Sequence, residues 1–187
     1  MQAQSIRADR KTYTVSDWEK LPEFPRYELH DGEAVMLASP SFPHQDACDA
    51  LITEFRTYLK GKECKAVSGF AVKLEEHKDS VFIPDLVVVC DPKKITDGYV
   101  IGAPDLVIEI QAPSTAKYDR LLKFNAYRDA GVLEYWIVDP IHKTVEVFFW
   151  RETPVPVQYA GIDKVKVGIF DDLEIDLKEI FGETQNL

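Results

Sequence analysis

Residues 81–90, VFIPDLVVVC, and residues 105–111, DLVIEIQ, decide the fold of this chain. Both stretches are rich in β-branched residues and almost continuously apolar, so they predict two strands, over residues 81–90 and 106–111, that are buried on both faces. Each stretch also carries one carboxylate, Asp85 in the first and Glu109 in the second. Because an ionised carboxylate inside a buried strand needs a compensating partner, these two acids stand out as candidate functional residues.

Two helices are predicted beside these strands. The first covers roughly residues 44–60 and ends at Gly61, because apolar residues recur there at helical spacing: Cys48, Leu51, Ile52, Phe55 and Leu59. The second begins at a cap on Ser114 or Thr115 and runs to Ala130, with Gly131 as its stop. Its predicted apolar side consists of Tyr118, Leu121, Leu122 and Tyr127.

The other segments predict a short helix and further strands. A helix over residues 16–21, capped by Ser16, precedes YELHDGEAVMLA, which predicts a β-hairpin with the turn pair Asp31-Gly32. Strands are also predicted over residues 66–74, and in EYWIVDP and KTVEVFFW around a turn at residues 140–143. This order favours an α/β fold with a mixed central β-sheet flanked by helices, three layers in all, and an N-terminal hairpin.

Length and composition indicate one globular domain. At 187 residues and about 150 residues per domain, we expect a flexible tail over 1–12, one domain over 13–183 and a short tail over 184–187. Apolar runs of about five residues are far too short for a transmembrane helix, and the polar N-terminus does not resemble a secretory signal. Three cysteines, Cys48, Cys64 and Cys90, form an odd set without CxxC spacing, which argues against a disulfide framework or a zinc site and favours the cytoplasm.

The net charge of −10 disfavours a large sequence-independent surface for nucleic acid. The charge is nevertheless uneven, since residues 113–131 hold four bases against two acids. Lys117, Arg120 and Arg128 could therefore form a local basic patch that binds nucleic acid. The apolar strands around residues 145–150 could bury a dimer surface or complete the core.

Asp85 and Glu109 could together hold a divalent cation. Mg²⁺ prefers oxygen ligands and commonly takes one or two carboxylates, with water and phosphate completing its shell. Gln111 lies two residues after Glu109 and so on the same face of the strand, where it could orient a water molecule. The alternative for either acid is a position at a strand end, in water or bonded to a loop.

Lys123 is the nearest candidate for a catalytic cation. It forms an i, i+4 series with Asp119 and Tyr127 on the second helix, so it could face the tips of the strands or lie exposed beside Asp119. His44, at the start of the first long helix, could contact phosphate or transfer a proton, or could simply be a surface residue or a cap. Glu28 and Glu33 flank the hairpin turn and could add a further carboxylate, although hairpin solubility explains them equally well.

As a set, several of these segments resemble the Uma-two endonuclease family, which belongs to the PD-(D/E)xK, restriction-endonuclease-like superfamily. The resemblance runs in order from about Val15 to Phe181, and its strongest part is GAPDLVIEI followed by EYWIVDP. YELHDGE, SPSFPHQ, PDLVVV and the spaced Asp119, Lys123 and Tyr127 complete it.

The resemblance implies a restriction-endonuclease-like core and metal-dependent cleavage of phosphodiester bonds. It also favours a homodimer, because restriction-endonuclease-like enzymes that cut duplexes often pair. It assigns Asp85 as the motif aspartate and Glu109 as the motif acid, both ligands of Mg²⁺ or Mn²⁺. Gln111 stands where the superfamily has a lysine, and Lys123 on the following helix is the natural substitute. Ala112 replaces the usual serine before the Pro-Ser pair, a change outside this constellation.

Three functional hypotheses follow. The first is a cytoplasmic nuclease acting on nucleic acid, with DNA the favoured substrate, in which Asp85 and Glu109 hold the metal, Lys123 stabilises charge and Gln111 orients water. The second is a catalytically weak or inactive nuclease fold that binds nucleic acid or a protein partner, which the net charge and Gln111 both favour. The third is a structural protein whose strand acids are satisfied by internal hydrogen bonds.

Overall fold

A computed structural model describes residues 12–74, 78–111, 117–151 and 155–182 of the chain, and the side chains of residues 117–120 are outside that description. The predicted caps at Ser114 and Thr115 and, apart from Thr12, the predicted tails therefore lie outside the described residues. Within these ranges, no helix is both long and apolar enough to pass through a bilayer.

The described residues form four α-helices and twelve strands. The helices are α1 (Val15–Trp18), α2 (Phe42–Tyr58), α3 (Lys117–Asp129) and α4 (Leu177–Phe181). The strands are β1 (Tyr27–His30), β2 (Glu33–Met36), β3 (Lys65–Ser68), β4 (Ala71–Lys73), β5 (Leu86–Val89), β6 (Tyr99–Ile101), β7 (Leu106–Ile110), β8 (Glu134–Asp139), β9 (Thr144–Phe149), β10 (Val157–Ala160), β11 (Lys164–Lys166) and β12 (Glu174–Asp176).

A six-stranded mixed sheet forms the centre, in the order β10-β9-β8-β7-β5-β3. β7 and β8 run parallel, joined through α3, and the other neighbouring strands of this sheet are antiparallel. Alternation along β7 sends Leu106, Ile108 and Ile110 into the core under α2 and α4, and turns Val107 to the opposite core under α3. The predicted three-layer α/β fold with buried β5 and β7 is therefore confirmed.

The strands around residues 145–150 complete the core, since Val145 and Val147 of β9 have no exposed surface. The turn predicted between β8 and β9 is present at residues 140–143. Of the two explanations for these apolar strands, the structure thus supports core packing.

The N-terminal hairpin is present as predicted. β1 and β2 pair antiparallel around Asp31 and Gly32, whose φ angles of 47° and 83° suit the tight turn of a two-residue hairpin. A side chain at Gly32 would also collide with Thr12, because a Cβ built there lies 2.5 Å from its Cγ2. Leu29 and Val81 exchange backbone hydrogen bonds of 2.9 and 2.8 Å, which dock the hairpin beside the segment leading to β5.

Two predicted strands are shorter than expected. The strand predicted over residues 66–74 divides into β3 and β4, which belong to different sheets, because the chain turns at Gly69 with a φ of 55°. In the stretch 81–90, only residues 86–89 form β5, while Val81 and Phe82 make isolated bridges elsewhere. Asp85 therefore lies immediately before β5 and not inside a strand.

Two details of the predicted helices were wrong. The first helix is capped by Thr14 and not by Ser16, since the Thr14 hydroxyl accepts from the Asp17 N–H and the Asp17 carboxylate accepts from the Thr14 N–H. Leu121 was expected on the buried side of α3, but 58% of its surface is exposed. The buried face of α3 contains Lys123, Ala126 and Tyr127 instead, so a lysine takes a place that hydrophobic periodicity would give to an apolar residue.

The prediction that the cysteines form no disulfide was wrong. Cys64 and Cys90 are bonded, and Cys48 is buried as a free thiol. The antiparallel register pairs Lys65 with Val89, which places Cys64 directly across from Cys90. Spacing along the chain could not reveal this register, and the cysteine content no longer argues for a reducing compartment.

Reduction of this disulfide should measurably destabilise the fold. The bridge joins residues separated by 26 positions, and a loop of that size predicts a loss of about 3 kcal/mol in the free energy of unfolding. The check is urea denaturation with and without dithiothreitol. A Cys64→Ser/Cys90→Ser double variant should match the reduced wild type, and an unchanged midpoint on reduction would contradict the expectation.

Candidate active site

Glu109 is the acidic group at the centre of the candidate site. It is the fourth residue of β7 and so alternates with Ile108 and Ile110, which face α2, to lie on the α3 side of the sheet. Its side chain is 16% exposed. The sheet thus presents a carboxyl group from within an otherwise apolar strand.

Helix α3 brings a cation and a phenol to this carboxyl. Lys123 and Tyr127 lie one turn apart on the buried face of the helix. The Lys123 Nζ lies 3.3 Å from Glu109 Oε1, and the Tyr127 hydroxyl donates to the same oxygen at 3.0 Å. Of the two alternatives for Lys123, the structure supports the one in which it faces the sheet.

The hairpin contributes a second buried carboxylate, Glu28, which is 1% exposed. Its Oε1 accepts from the Ile83 N–H at 2.7 Å and lies 2.8 Å from Lys123 Nζ. Its Oε2 lies 2.9 Å from Nε2 of His30, two residues along β1. Lys123 therefore lies between Glu28 and Glu109, and it ties α3 to both the hairpin and the central sheet.

Asp85 is held at the end of β7 from two directions. Its Oδ2 accepts from the Ile110 N–H at 2.7 Å and lies 3.3 Å from Nε2 of His44, in the first turn of α2. Its backbone oxygen accepts from the Gly69 N–H at 2.9 Å, which continues the pairing of β3 with β5. The antiparallel register that pairs Leu86 with Ile108, continued by one residue, places Asp85 across from Glu109.

Burial and charge shift the pKa values of the two buried glutamates in opposite directions. Burial raises the pKa of Glu109 to about 8; Lys123 and Tyr127 oppose this shift, while the charges of Asp85 and Glu28 add to it. Burial would also raise the pKa of Glu28, but the charge of Lys123 and the hydrogen bonds from His30, Lys123 and Ile83 outweigh it and hold that pKa below its ordinary value. Glu28 is therefore the ionised partner of Lys123, and Glu109 lacks full compensation for its charge.

The histidine and the phenol are also shifted. The hydrogen bond to Asp85 raises the pKa of His44 and outweighs the opposing effect of burial, which favours an imidazolium beside that carboxylate. Burial, together with the charges of Glu109 and Glu28, raises the pKa of Tyr127 well above its ordinary value, so its hydroxyl is a proton donor to Glu109 at neutral pH.

The donor set fits a hard divalent cation. Asp85 uses Oδ2 for both of its described side-chain contacts, so Oδ1 can turn to a metal. Glu109 sits where burial and the nearby negative charges of Asp85 and Glu28 disfavour its ionisation. A divalent cation would relieve that repulsion. Among the described residues, no three His, Cys, Asp or Glu side chains cluster as a metal site. Mg²⁺ commonly keeps several waters and takes only one or two protein carboxylates.

Comparison with known proteins places the chain in a family. A family model named Uma2 and described as "Putative restriction endonuclease" matches residues 15–177. The chain belongs to the Uma2 family. The resemblance noted in the sequence is thereby confirmed.

Two further proteins and one solved structure are similar to this chain. Two proteins of Synechocystis sp., both named uncharacterized, are similar: slr1290 is 29% identical over 114 residues, 60% of either chain, and sll1609 is 34% identical over 71 residues, 36% of this chain and 40% of the relative. The chain thus spans less than two thirds of the length of either relative. A crystal structure described as a putative nuclease of DUF820 from Anabaena variabilis superposes with a TM-score of 0.75 at 21% identity, covering 90% of this chain and 97% of that one. This likeness confirms the restriction-endonuclease-like fold.

The other residues that the sequence predicts for the site lie on several different elements of the fold. Gln111 follows β7 and is partly buried, with its backbone N–H bonded to the Val138 oxygen at 2.7 Å. Glu33 is exposed on β2, where it pairs across the hairpin with His30. Arg128 is exposed on α3 and pairs with Asp129 at 2.9 Å, which reduces its value for binding phosphate. The side chains of Lys117, Asp119 and Arg120 lie outside the described residues.

The sequence did not indicate that Glu28 is buried, nor that His30 and the Ile83 N–H are its partners. Glu28 was considered as a further carboxylate, but its link to Lys123 was not foreseen. One signal was available: Glu28 and His30 alternate with Leu29 and so share a face of β1, which places two titratable groups side by side.

The raised pKa of Glu109 predicts a distinctive dependence of stability on pH. An unfolded glutamate titrates near 4.5 and the folded one near 8, so unfolding releases a proton between these values and the free energy of unfolding falls as pH rises through this window. The urea midpoint of Glu109→Gln should not show this fall with rising pH, since an amide does not titrate. The measurement compares both proteins from pH 4.5 to 8.5 in EDTA, and parallel curves would contradict the assignment.

Proposed function

We propose that this chain is a metal-dependent nuclease that hydrolyses phosphodiester bonds of nucleic acid, with DNA as the favoured substrate. The observation that carries the proposal is the Glu109 carboxyl, which lies between the Lys123 ammonium at 3.3 Å and the segment that holds Asp85. Two carboxylates and one lysine on neighbouring elements supply the charges that cleavage of a phosphodiester requires.

Each residue has a distinct role in the proposed reaction. Asp85 and Glu109 would hold Mg²⁺ or Mn²⁺, which when bound activates water and neutralises charge on the phosphate. Lys123 donates hydrogen bonds toward the phosphate oxygens where negative charge develops, and Gln111 orients the attacking water. Tyr127 fixes the orientation of Glu109 through its hydroxyl, while His44 and the Ile110 N–H fix Asp85.

The test is cleavage of supercoiled plasmid and of single-stranded DNA and RNA in Mn²⁺, Mg²⁺ or EDTA. Wild type should cut in the presence of metal and not in EDTA, and the Asp85→Asn/Glu109→Gln double variant should not cut. Comparison of the substrates would show whether DNA is preferred. Absence of cutting by the folded wild type, with salt-sensitive binding that survives the double variant, would favour the nucleic-acid-binding module instead.

The cellular location and assembly state stay predictions within this proposal. A cytoplasmic location is testable by cell fractionation, and a homodimer by light scattering of the purified protein. A nuclease that cuts both strands of a duplex gains from pairing two such sites, which is the functional reason to expect the dimer.

A further inference from the structure

The Lys123 ammonium is not shared equally between its two carboxylate neighbours. Its Nζ lies 2.8 Å from Glu28 Oε1, but 3.3 Å and 3.5 Å from the two oxygens of Glu109. Hydrogen bonds between an ammonium and a carboxylate are commonly about 2.7–2.9 Å long. Only the Glu28 contact falls within that range, so of these two carboxylates Glu28 is the one that anchors the lysine.

Glu28 is poorly suited to be a metal ligand itself. It is 1% exposed, its Oε1 already accepts from the Ile83 N–H, and its Oε2 lies within hydrogen-bond distance of His30. A cation that used Glu28 would have to displace these partners inside a buried region. Its carboxylate is therefore committed to holding the lysine and the hairpin.

We propose that Glu28 is a positioning residue that anchors the Lys123 ammonium and thereby keeps the Glu109 carboxyl available to a divalent cation. This inference rests on the proposed function, since it assigns a role within the same site. Without the charge of Glu28, the Glu109 carboxyl 3.3 Å away becomes the alternative partner for the ammonium. Lysine and metal would then compete for the same oxygens, because each favours the ionised carboxylate.

The primary test measures Mn²⁺ binding and plasmid cleavage for Glu28→Gln, a variant of nearly the same shape. Mn²⁺ affinity, followed by calorimetric titration, should fall by about tenfold or more, as is usual when a partner outside the ligand set is removed. At a fixed Mn²⁺ concentration below saturation, the kcat should fall by a similar factor while the KM for DNA stays within about twofold, because Glu28 does not contact substrate. Glu174→Gln, an exposed glutamate on β12, is the matched control and should behave as wild type.

A double-variant cycle separates positioning from a merely structural or ligand role. In a Lys123→Met background there is no ammonium to shift, so adding Glu28→Gln should change Mn²⁺ affinity by less than about twofold. An equal loss in both backgrounds would mean that Glu28 acts directly, and it would overturn the proposal. So would a Glu28→Gln variant that binds Mn²⁺ as tightly as wild type.

Milder variants keep the test decisive if Glu28→Gln does not fold. His30→Gln leaves Glu28 charged but removes one of its partners, so Mn²⁺ affinity should fall in the same direction by less than tenfold. Unchanged affinity in a folded His30→Gln, together with unchanged affinity in Glu28→Asp, would overturn the proposal. A wild type that neither binds Mn²⁺ nor cuts refutes the proposed function and this inference together, whereas a working wild type with an additive cycle refutes the inference alone.

Discussion

Replacement of Glu109 by Gln is expected to lower the rate of metal-dependent cleavage by about 10³-fold or more, because a bound metal stabilises the transition state by several kcal/mol. The amide keeps the size of the side chain and can still accept the 3.0 Å hydrogen bond from the Tyr127 hydroxyl. It cannot supply the negative charge that holds the cation. The measurement is kcat on supercoiled plasmid at saturating Mn²⁺, with Glu174→Gln as the control that retains full activity.

The same variant should be at least as stable as wild type at pH 8 in EDTA. Burial and the neighbouring carboxylates raise the pKa of Glu109 to about 8, so ionisation of this group costs the folded state free energy that a neutral amide avoids. Lost activity with retained stability would separate a catalytic role from a structural one. A Glu109→Gln protein that unfolds more readily than wild type at pH 8 would contradict this explanation.

Replacement of Lys123 by Met is expected to lower the free energy of unfolding at pH 7 by about 3–5 kcal/mol. Lys123 is 7% exposed and lies against two buried carboxyl groups, so its removal leaves Glu28 as an uncompensated buried charge. Cleavage should also be lost, since in the proposed reaction the same ammonium stabilises the charge that develops on the phosphate. Urea denaturation gives the stability, and Lys178→Met, an exposed lysine on α4, should change it by less than about 0.5 kcal/mol.

The stability deficit of Lys123→Met should shrink in acid. Burial tends to raise the pKa of Glu28, but Lys123 and the hydrogen bonds hold it below 4.5 in the folded wild type. That ion pair therefore adds stability above the ordinary glutamate pKa, and the contribution is lost as pH falls through the lower folded value. If the variant loses the same free energy of unfolding at pH 3 as at pH 7, the loss comes from packing and not from the ion pair.

The core of the fold could be predicted because its determinants are local. β5 and β7 are apolar on both faces, and the Asp31-Gly32 turn and the amphipathic face of α2 each follow from a few neighbouring residues. Strand boundaries were harder, since the break at Gly69 depends on which sheet each half joins. The Cys64–Cys90 bond depends on the register of β3 with β5, which no local pattern encodes.

The candidate site could be predicted in part for the same reason. Asp85 and Glu109 stand out as acids among valines and isoleucines, and Lys123 follows on the next helix at a spacing that can reach the sheet. Glu28 is distant in sequence, and a hairpin glutamate is usually solvated. Its role arises from docking of the hairpin, where the Ile83 N–H and Lys123 converge on one carboxylate.

The Glu28–Lys123 contact can form only late in synthesis of the chain, because its two residues are far apart in sequence. A nascent chain that has emerged only as far as β7 holds Glu28, Asp85 and Glu109 but lacks Lys123, which lies on the next element. The parallel neighbour β8 is made later still, so β7 has an unpaired side until then. If the proposed function holds, a chain that ends before α3 would therefore be unable to cut.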